Sequence, residues 1–252
     1  MKIAIITGAS SGMGREFAIQ LDQMKHHFDE FWLIARRESN LVELQNVLKT
    51  KSRCIPLDLV PIENSQVLAD LLAQEKPDIR FLVNCSGYGK MGKVSELDLR
   101  TQTEMIDLNC RALTAITAIC IPYIGKKGRI VNLASIAAFL PQPQFAVYAA
   151  TKAYVLSFSR ALNKELRKEK ISVTSVCPGP VKTEFFDVAE SNGNTLFFKK
   201  FVYVLPEDVV AQAIDGAIKR KEKVIYSVPM KMVWFFSKIL PHRLILQIYN
   251  RL

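Results

Sequence analysis

Seven short apolar runs are spaced along the chain between Lys2 and Ser227: KIAIIT (2–7), EFWLIA (30–35), RCIPL (53–57), IRFLVN (79–84), GRIVNLA (128–134), SVTSVC (172–177) and KVIYS (223–227). Each is too continuously apolar to leave one face in water, as expected of strands covered by helices on both sides. Between them, apolar positions recur at helical spacing and predict helices over Met13–Met24, Asn40–Thr50, Glu63–Gln74, Thr101–Tyr123, Ala149–Arg167 and Glu207–Arg220. Ser39 is placed to cap the second helix. Pro206-Glu207-Asp208 opens the last one with a preset φ and two carboxylates at the positive dipole end. Strand and helix alternating this often predict an α/β fold with a doubly wound parallel sheet of about seven strands. No repeat, low-complexity tract or Gly/Ser linker divides it, so residues 1–227 read as one domain.

The last stretch, 228–252, breaks the alternation. It reads VPMKMVWFFSKILPHRLILQIYNRL. Pro241 can open a final helix with Leu244, Ile245, Ile248, Tyr249 and Leu252 on one side. Trp234, Phe235 and Phe236 precede it, with Lys231, Lys238 and Arg243 interleaved. A basic, aromatic, amphipathic tail of this kind can be a lid over a pocket, a contact with another subunit, or a segment lying on an anionic membrane surface. It is too short and too interrupted to span a bilayer, and no uninterrupted apolar run elsewhere reaches the roughly 18 residues a span needs.

The net charge of +10 admits nucleic acid, an anionic membrane or an anionic cofactor as partner. From Lys219 onward, eight Lys or Arg face the single Glu222. No zinc-finger, RNA-recognition or helix-turn-helix signature accompanies the charge, so no nucleic-acid partner is expected. Five scattered cysteines, without a CxxC pair or histidines at ligand spacing, point to neither a disulfide framework nor a metal site. They fit a reducing compartment. With a strand pattern beginning at Lys2 in place of a signal peptide, the expected location is cytoplasmic, peripheral at a membrane surface if the tail binds one.

The first strand runs into TGASSGMG (7–14) just before the first helix. In a doubly wound sheet this turn faces the crevice at the carboxyl ends of the strands. Gly8, Gly12 and Gly14 let the backbone turn tightly and approach a pyrophosphate, while the helix offers free N–H groups. The spacing is GxxxGxG, where the common dinucleotide fingerprint is GxGxxG. The second strand ends LIARRES. A site for NAD often places a carboxylate there for the ribose hydroxyls. Here Arg36 and Arg37 stand after Ala35, which suits a 2′-phosphate and points to NADP(H). Two solvated arginines after a strand are the plain alternative.

Tyr148 and Lys152 lie four residues apart on a predicted helix, so both side chains can reach one cleft. A free tyrosine titrates near ~10. A cation about 4 Å away, at an effective dielectric of about 20, is worth on the order of 4 kcal/mol before desolvation. A tyrosine tuned in this way can protonate a carbonyl oxygen as a nicotinamide delivers hydride to the carbon. Such a pair also arises by chance on ordinary helix surface, and its surroundings decide. Ser135 ends the strand GRIVNLAS, thirteen residues upstream; Asn109 sits in the long helix before that strand, and NCSG (84–87) closes the fourth strand.

Together, TGASSGMG, NCSG, Asn109, Ser135, Tyr148-x-x-x-Lys152 and CPGPVKT (177–183) resemble the short-chain dehydrogenase/reductase family in order and spacing, over residues 1 to about 227. The resemblance implies a single-domain, Rossmann-like fold of the NADP-preferring type. Tyr148 would then be the catalytic acid/base, and Lys152 would lower its pKa and bind the nicotinamide ribose. Ser135 would bond the substrate oxygen, and Asn109 would hold a water in a proton relay. Ser10, Ser11 and Met13 would join the three glycines around the cofactor, Asp58 and Leu59 would meet the adenine, and Asn84, Ser86 and Gly87 would line the cleft. Pro178, Gly179, Val181 and Thr183 would embrace the nicotinamide end. The family also implies a homodimer or homotetramer, paired through helices 101–123 and 149–167. Two departures are conservative: Asn84-Cys85-Ser86-Gly87 where NNAG is usual, and Met13 where isoleucine or leucine is commoner.

After the PG motif this family places a mobile substrate loop. Here segment 184–205 carries Phe185, Phe186, Phe197, Phe198, Phe201 and Tyr203, and IAAFLPQPQF beside Ser135 adds Phe139, Leu140 and Phe145. Apolar walls around a few fixed polar groups fit a bulky lipophilic ketone, steroid-like or long-chain acyl. The same rings can also pack beneath the loop or fill a subunit interface. The expected activity is NADP-dependent interconversion of a carbonyl and a secondary alcohol, running as a reduction. A cofactor-binding sensor of the same fold with little turnover is the rival.

Overall fold

The computed structural model describes residues 1–24, 28–189 and 204–249. All seven apolar runs form strands: β1 (Lys2–Thr7), β2 (Glu30–Ala35), β3 (Ser52–Pro56), β4 (Asp78–Asn84), β5 (Ile124–Leu133), β6 (Ser172–Val176) and β7 (Lys223–Val224). They make one parallel sheet in the order β3-β2-β1-β4-β5-β6-β7. The order reverses between β1 and β4, and the crevice outside their carboxyl ends is where such sheets bind ligands.

Helices α1 (Gly12–Gln23), α2 (Glu38–Val47), α3 (Ser65–Glu75), α4 (Leu99–Ile106), α5 (Leu113–Cys120), α6 (Ala146–Glu165), α7 (Phe185–Ala189) and α8 (Pro206–Ile218) cover the sheet, and α9 (Val228–Ile239) and α10 (His242–Tyr249) form the tail. Along β1, Ala4 and Ile6 pack with Phe17, Leu21 and Val209 on one face, and Ile3 and Ile5 with Leu68, Leu72 and Ile116 on the other. Alternate strand residues point to opposite faces, so burying both requires an unbroken apolar run.

Several elements differ from their sequence-based forms. Ser39 does not cap α2: the helix starts at Glu38 with Arg37 as the capping position, and the Ser39 hydroxyl bonds its neighbour Asn40. The long helix expected at 101–123 runs from Leu99, where the Asp98 carboxylate accepts from Thr101 N at 2.9 Å, and widens into a π-helical stretch at Asp107–Ala112. By length and composition, Leu99–Tyr123 is apolar enough to cross a bilayer, which the run-by-run reading did not anticipate; in the fold it packs against α3 and α6. β7 keeps two of its five predicted residues, those paired with Ser175 and Val176 at the end of β6, and the chain then turns at Ser227, φ +70°, into α9.

The tail helix α9 lies against the turn Ile136–Phe139. It buries Met230 and exposes Val228, Met232, Phe235, Phe236 and Ile239. Pro241 precedes α10, as the sequence indicates. Phe197, Phe198, Phe201, Tyr203 and Leu252 lie outside the described residues.

Candidate active site

The glycine turn is built for close backbone approach. Gly8 and Gly12 adopt φ of +67° and +51°, a region that side chains with a Cβ avoid. A Cβ on Gly14 would stand 2.2 Å from Gly8 O, and one on Gly8 2.9 Å from Ser86 N. Thr7 Oγ1 accepts from both Cys85 N and Ser86 N at 3.1 Å, tying the end of β1 to the end of β4 across the switch point. Asn40 Nδ2 holds the turn from α2 by donating to Ser10 O at 3.2 Å. At the start of α1, Ser11 makes no side-chain capping bond and no acid occupies the first turn. The free N–H groups there are a ready anion site.

Arg36 and Arg37 follow β2 at one end of the cleft. Arg37 donates to Glu184 Oε2 at 2.9 Å and reaches Ser10 Oγ at 3.5 Å. Asp58 Oδ1 accepts from Val60 N at 3.0 Å, and buried Leu59 completes that wall.

At the other end, α6 presents Tyr148 and Lys152 from its buried face. The Tyr148 ring stacks on Phe145, 4.2 Å between centroids at 22°, and meets Phe185 at 5.4 Å. Ser135 lies two residues beyond the end of β5, accepts from Ala137 N at 3.1 Å, and neighbours Tyr148 in the cleft wall. Lys152 Nζ donates to Leu133 O at 2.8 Å and lies 5.6 Å from the Tyr148 ring centroid.

The expected tuning of Tyr148 by Lys152 is not the dominant effect here. Burial pushes the Tyr148 hydroxyl up to about 12, and the nearby Ser135 hydroxyl draws it only partly back. Burial likewise brings Lys152 down to about 8, against an opposing pull from Cys85, Cys110 and Cys177. The physical reason is that both groups sit in an apolar setting that disfavours charge, while the ammonium points to a backbone carbonyl.

Of the residues singled out from sequence, Gly8, Ser10, Ser11, Gly12, Met13, Gly14, Arg36, Arg37, Asp58, Leu59, Ser86, Gly87, Ser135, Tyr148, Lys152, Pro178, Gly179, Val181 and Thr183 line one continuous cleft of about 710 Å³. Asn84 and Asn109 do not. Asn84 lies beneath the cleft wall, donating to Thr117 Oγ1 and Asn132 Oδ1 at 2.9 Å each. Buried Asn109, in the π-helical stretch, donates to Tyr88 O and Thr151 Oγ1 and accepts from Tyr88 N, which pins the loop after β4 onto α6. Both Nδ2 donors of its side chain are thereby committed to protein partners.

Sequence reasoning missed Glu184 as a partner of Arg37, and Met230 and Val233 of α9 as lining residues. Glu184 directly follows the Pro178–Thr183 motif, which could have drawn attention to it. Met230 and Val233 carry no local signal, since only the docking of the tail brings them to the cleft.

A positive-φ glycine turn, open helix N–H groups, flanking arginines and a long cleft ending at a tyrosine fit a dinucleotide. Residues 2–193 match the short chain dehydrogenase family, and the chain belongs to it. The NADP-dependent 3-hydroxy acid dehydrogenase of Schizosaccharomyces pombe is 31% identical over 235 residues, covering 89% of each chain. A short-chain dehydrogenase from Sphingobium yanoikuyae, solved in complex with NADPH, superposes with a TM-score of 0.80 at 26% identity, over 93% of this chain and 91% of the other. The bulky-bulky ketone specific alcohol dehydrogenase of Comamonas testosteroni does so at 0.77 and 26%, over 95% and 91%. The protein is thus an oxidoreductase of this family, with a cleft suited to a nicotinamide cofactor.

Proposed function

We propose that this protein is an NADP(H)-dependent oxidoreductase that interconverts a carbonyl and a secondary alcohol and works as a reductase on bulky lipophilic ketones. The observation carrying this reading is that Tyr148, Ser135 and Lys152 meet at the apolar-walled end of the cleft that begins at the glycine turn. When bound, the dinucleotide supplies hydride. Ser135 orients the substrate oxygen and Tyr148 delivers the proton to it. Lys152, about 8 in pKa and so largely protonated at neutral pH, stabilises the tyrosinate left behind. Asn109 acts through position, holding the loop after β4 against α6.

Arg36 and Arg37 support NADP(H) over NAD(H), since no carboxylate takes their place after β2. Phe145, Phe185, Leu140, Met230 and Val233 support a large apolar substrate. The test is oxidation of NADPH, with NADH alongside, against carbonyls graded from small aldehydes to steroids and long-chain ketones. Turnover confined to large ketones with NADPH is expected; equal rates with small aldehydes would reject the substrate class. The sensor alternative predicts tight NADPH binding with no turnover across the panel.

The exposed stripe of α9 is assigned to contact with a second copy of the chain. Its flanking Lys231, Lys238 and Arg243 favour an anionic membrane as the second reading. Light scattering of the free protein is expected to give a dimer or tetramer. A monomer that sediments with anionic vesicles, and not with neutral ones, would decide for the membrane.

A further inference from the structure

At the glycine-turn end of the cleft, a carboxylate already stands on donors suited to a phosphate. Glu184 follows Thr183, immediately before α7, and its Oε2 accepts from the Arg37 guanidinium at 2.9 Å. Ser11 lines the cleft beside the same carboxylate, and Arg37 also reaches Ser10 Oγ at 3.5 Å. These contacts hold the Glu184 carboxyl below its ordinary pKa, the Arg37 hydrogen bond first among them. The partners are 147 residues apart in the chain and bring together the segments after β2 and β6, which lie on either side of the switch point.

The side chains of the pair are 46% and 57% exposed, and ion pairs at such exposure contribute little stability. What the contacts do share is a chemistry: a guanidinium and two hydroxyls beside the open N-terminus of α1. Carboxylate and phosphate monoester compete for such a set. The residue after Glu184 is Phe185, whose ring lies 5.4 Å from that of Tyr148. One peptide therefore links the anion-binding end of the cleft to the ring packed on the tyrosine.

We propose that Glu184 determines cofactor discrimination: its carboxylate occupies the anion site of Arg37, Ser10 and Ser11, and the 2′-phosphate of NADP(H) exchanges with it. The exchange frees Glu184 and the start of α7 as the cofactor binds, so that the wall at Phe185 responds to the cofactor before the substrate arrives. This inference rests on the NADP(H) reading above.

The experiment is fluorescence titration of NADPH and NADH against wild type, Glu184→Gln, Glu184→Ala and each of these in an Arg37→Ala background. Removing the competing carboxylate is expected to tighten NADPH by about two- to fivefold, the range an exposed ion pair commands, and to leave NADH unchanged. In the Arg37→Ala background the gain should vanish. Weaker or unchanged NADPH binding in both Glu184 variants overturns the proposal. So does an equal gain for both cofactors, which would place the repulsion at their common pyrophosphate. A wild type that prefers NADH while Glu184→Gln still gains selectively for NADPH would reject the NADP(H) preference and uphold the exchange.

Discussion

The two ends of the cleft hold their chemistry differently. At the glycine-turn end the working groups are backbone N–H donors and half-exposed charges on turns: the start of α1, Arg36, Arg37 and Glu184. At the tyrosine end they are buried side chains of α6 and β5, packed among rings and committed to hydrogen bonds. Backbone groups need only the correct turn, and the half-exposed charges beside them are screened by salt. Buried titratable groups take their properties from their surroundings, as Tyr148 and Lys152 show by shifting in opposite directions from one cause.

The sharpest division is expected from Tyr148→Phe. It should lower turnover by about 10²–10⁴-fold, the usual span of a general acid, and leave NADPH affinity intact. Retained turnover in steady-state assays would remove Tyr148 from the chemistry. Replacing Arg36 and Arg37 together by alanine should act at the other end only. NADPH affinity should fall by roughly 10- to 100-fold, the value of hydrogen bonds to a charged group, with NADH affinity and the limiting rate preserved. Equal loss for both cofactors would mean the arginines do not read the 2′-phosphate.

A smaller effect should appear in the pH dependence of stability. Lys152 has a folded pKa near 8, below its ordinary 10.5. Below about 8 it is protonated in both states, and the folded protein bears the full cost of burying the charge. Between about 8 and 10.5 the unfolded chain retains a proton that the folded one has released, so stability rises with pH. Tyr148 opposes this only above 10, where its raised pKa makes the folded state hold the extra proton. Melting temperatures of wild type and Lys152→Met from pH 7 to 9.5 should therefore show the wild type gaining relative to the variant. Parallel curves would mean that Lys152 is better solvated than its burial indicates.

How much of this was legible in the sequence differs between the same two ends. The glycine turn could be read because GxxxGxG between a strand and a helix has local causes: positive φ at Gly8 and Gly12, and no room for a Cβ at Gly14. Ser39 misled as a cap, because Glu38 is already in the helix and the hydroxyl bonds to Asn40. The spacing of Tyr148 and Lys152 placed both on one buried helix face, but spacing carries no information on the direction of the ammonium. That depends on Leu133 O at the end of β5, nineteen residues away.

The strand segments, the glycine turn and the shared face of Tyr148 and Lys152 were legible from neighbours close in the chain, and the strand–helix alternation implied the parallel sheet. Tertiary structure alone decided that Asn84 and Asn109 spend their amides inside the protein, that Glu184 closes on Arg37, and that α9 brings Met230 and Val233 to the cleft. Burial and long-range hydrogen bonding set those outcomes, because the partners meet only when strands distant in sequence lie side by side.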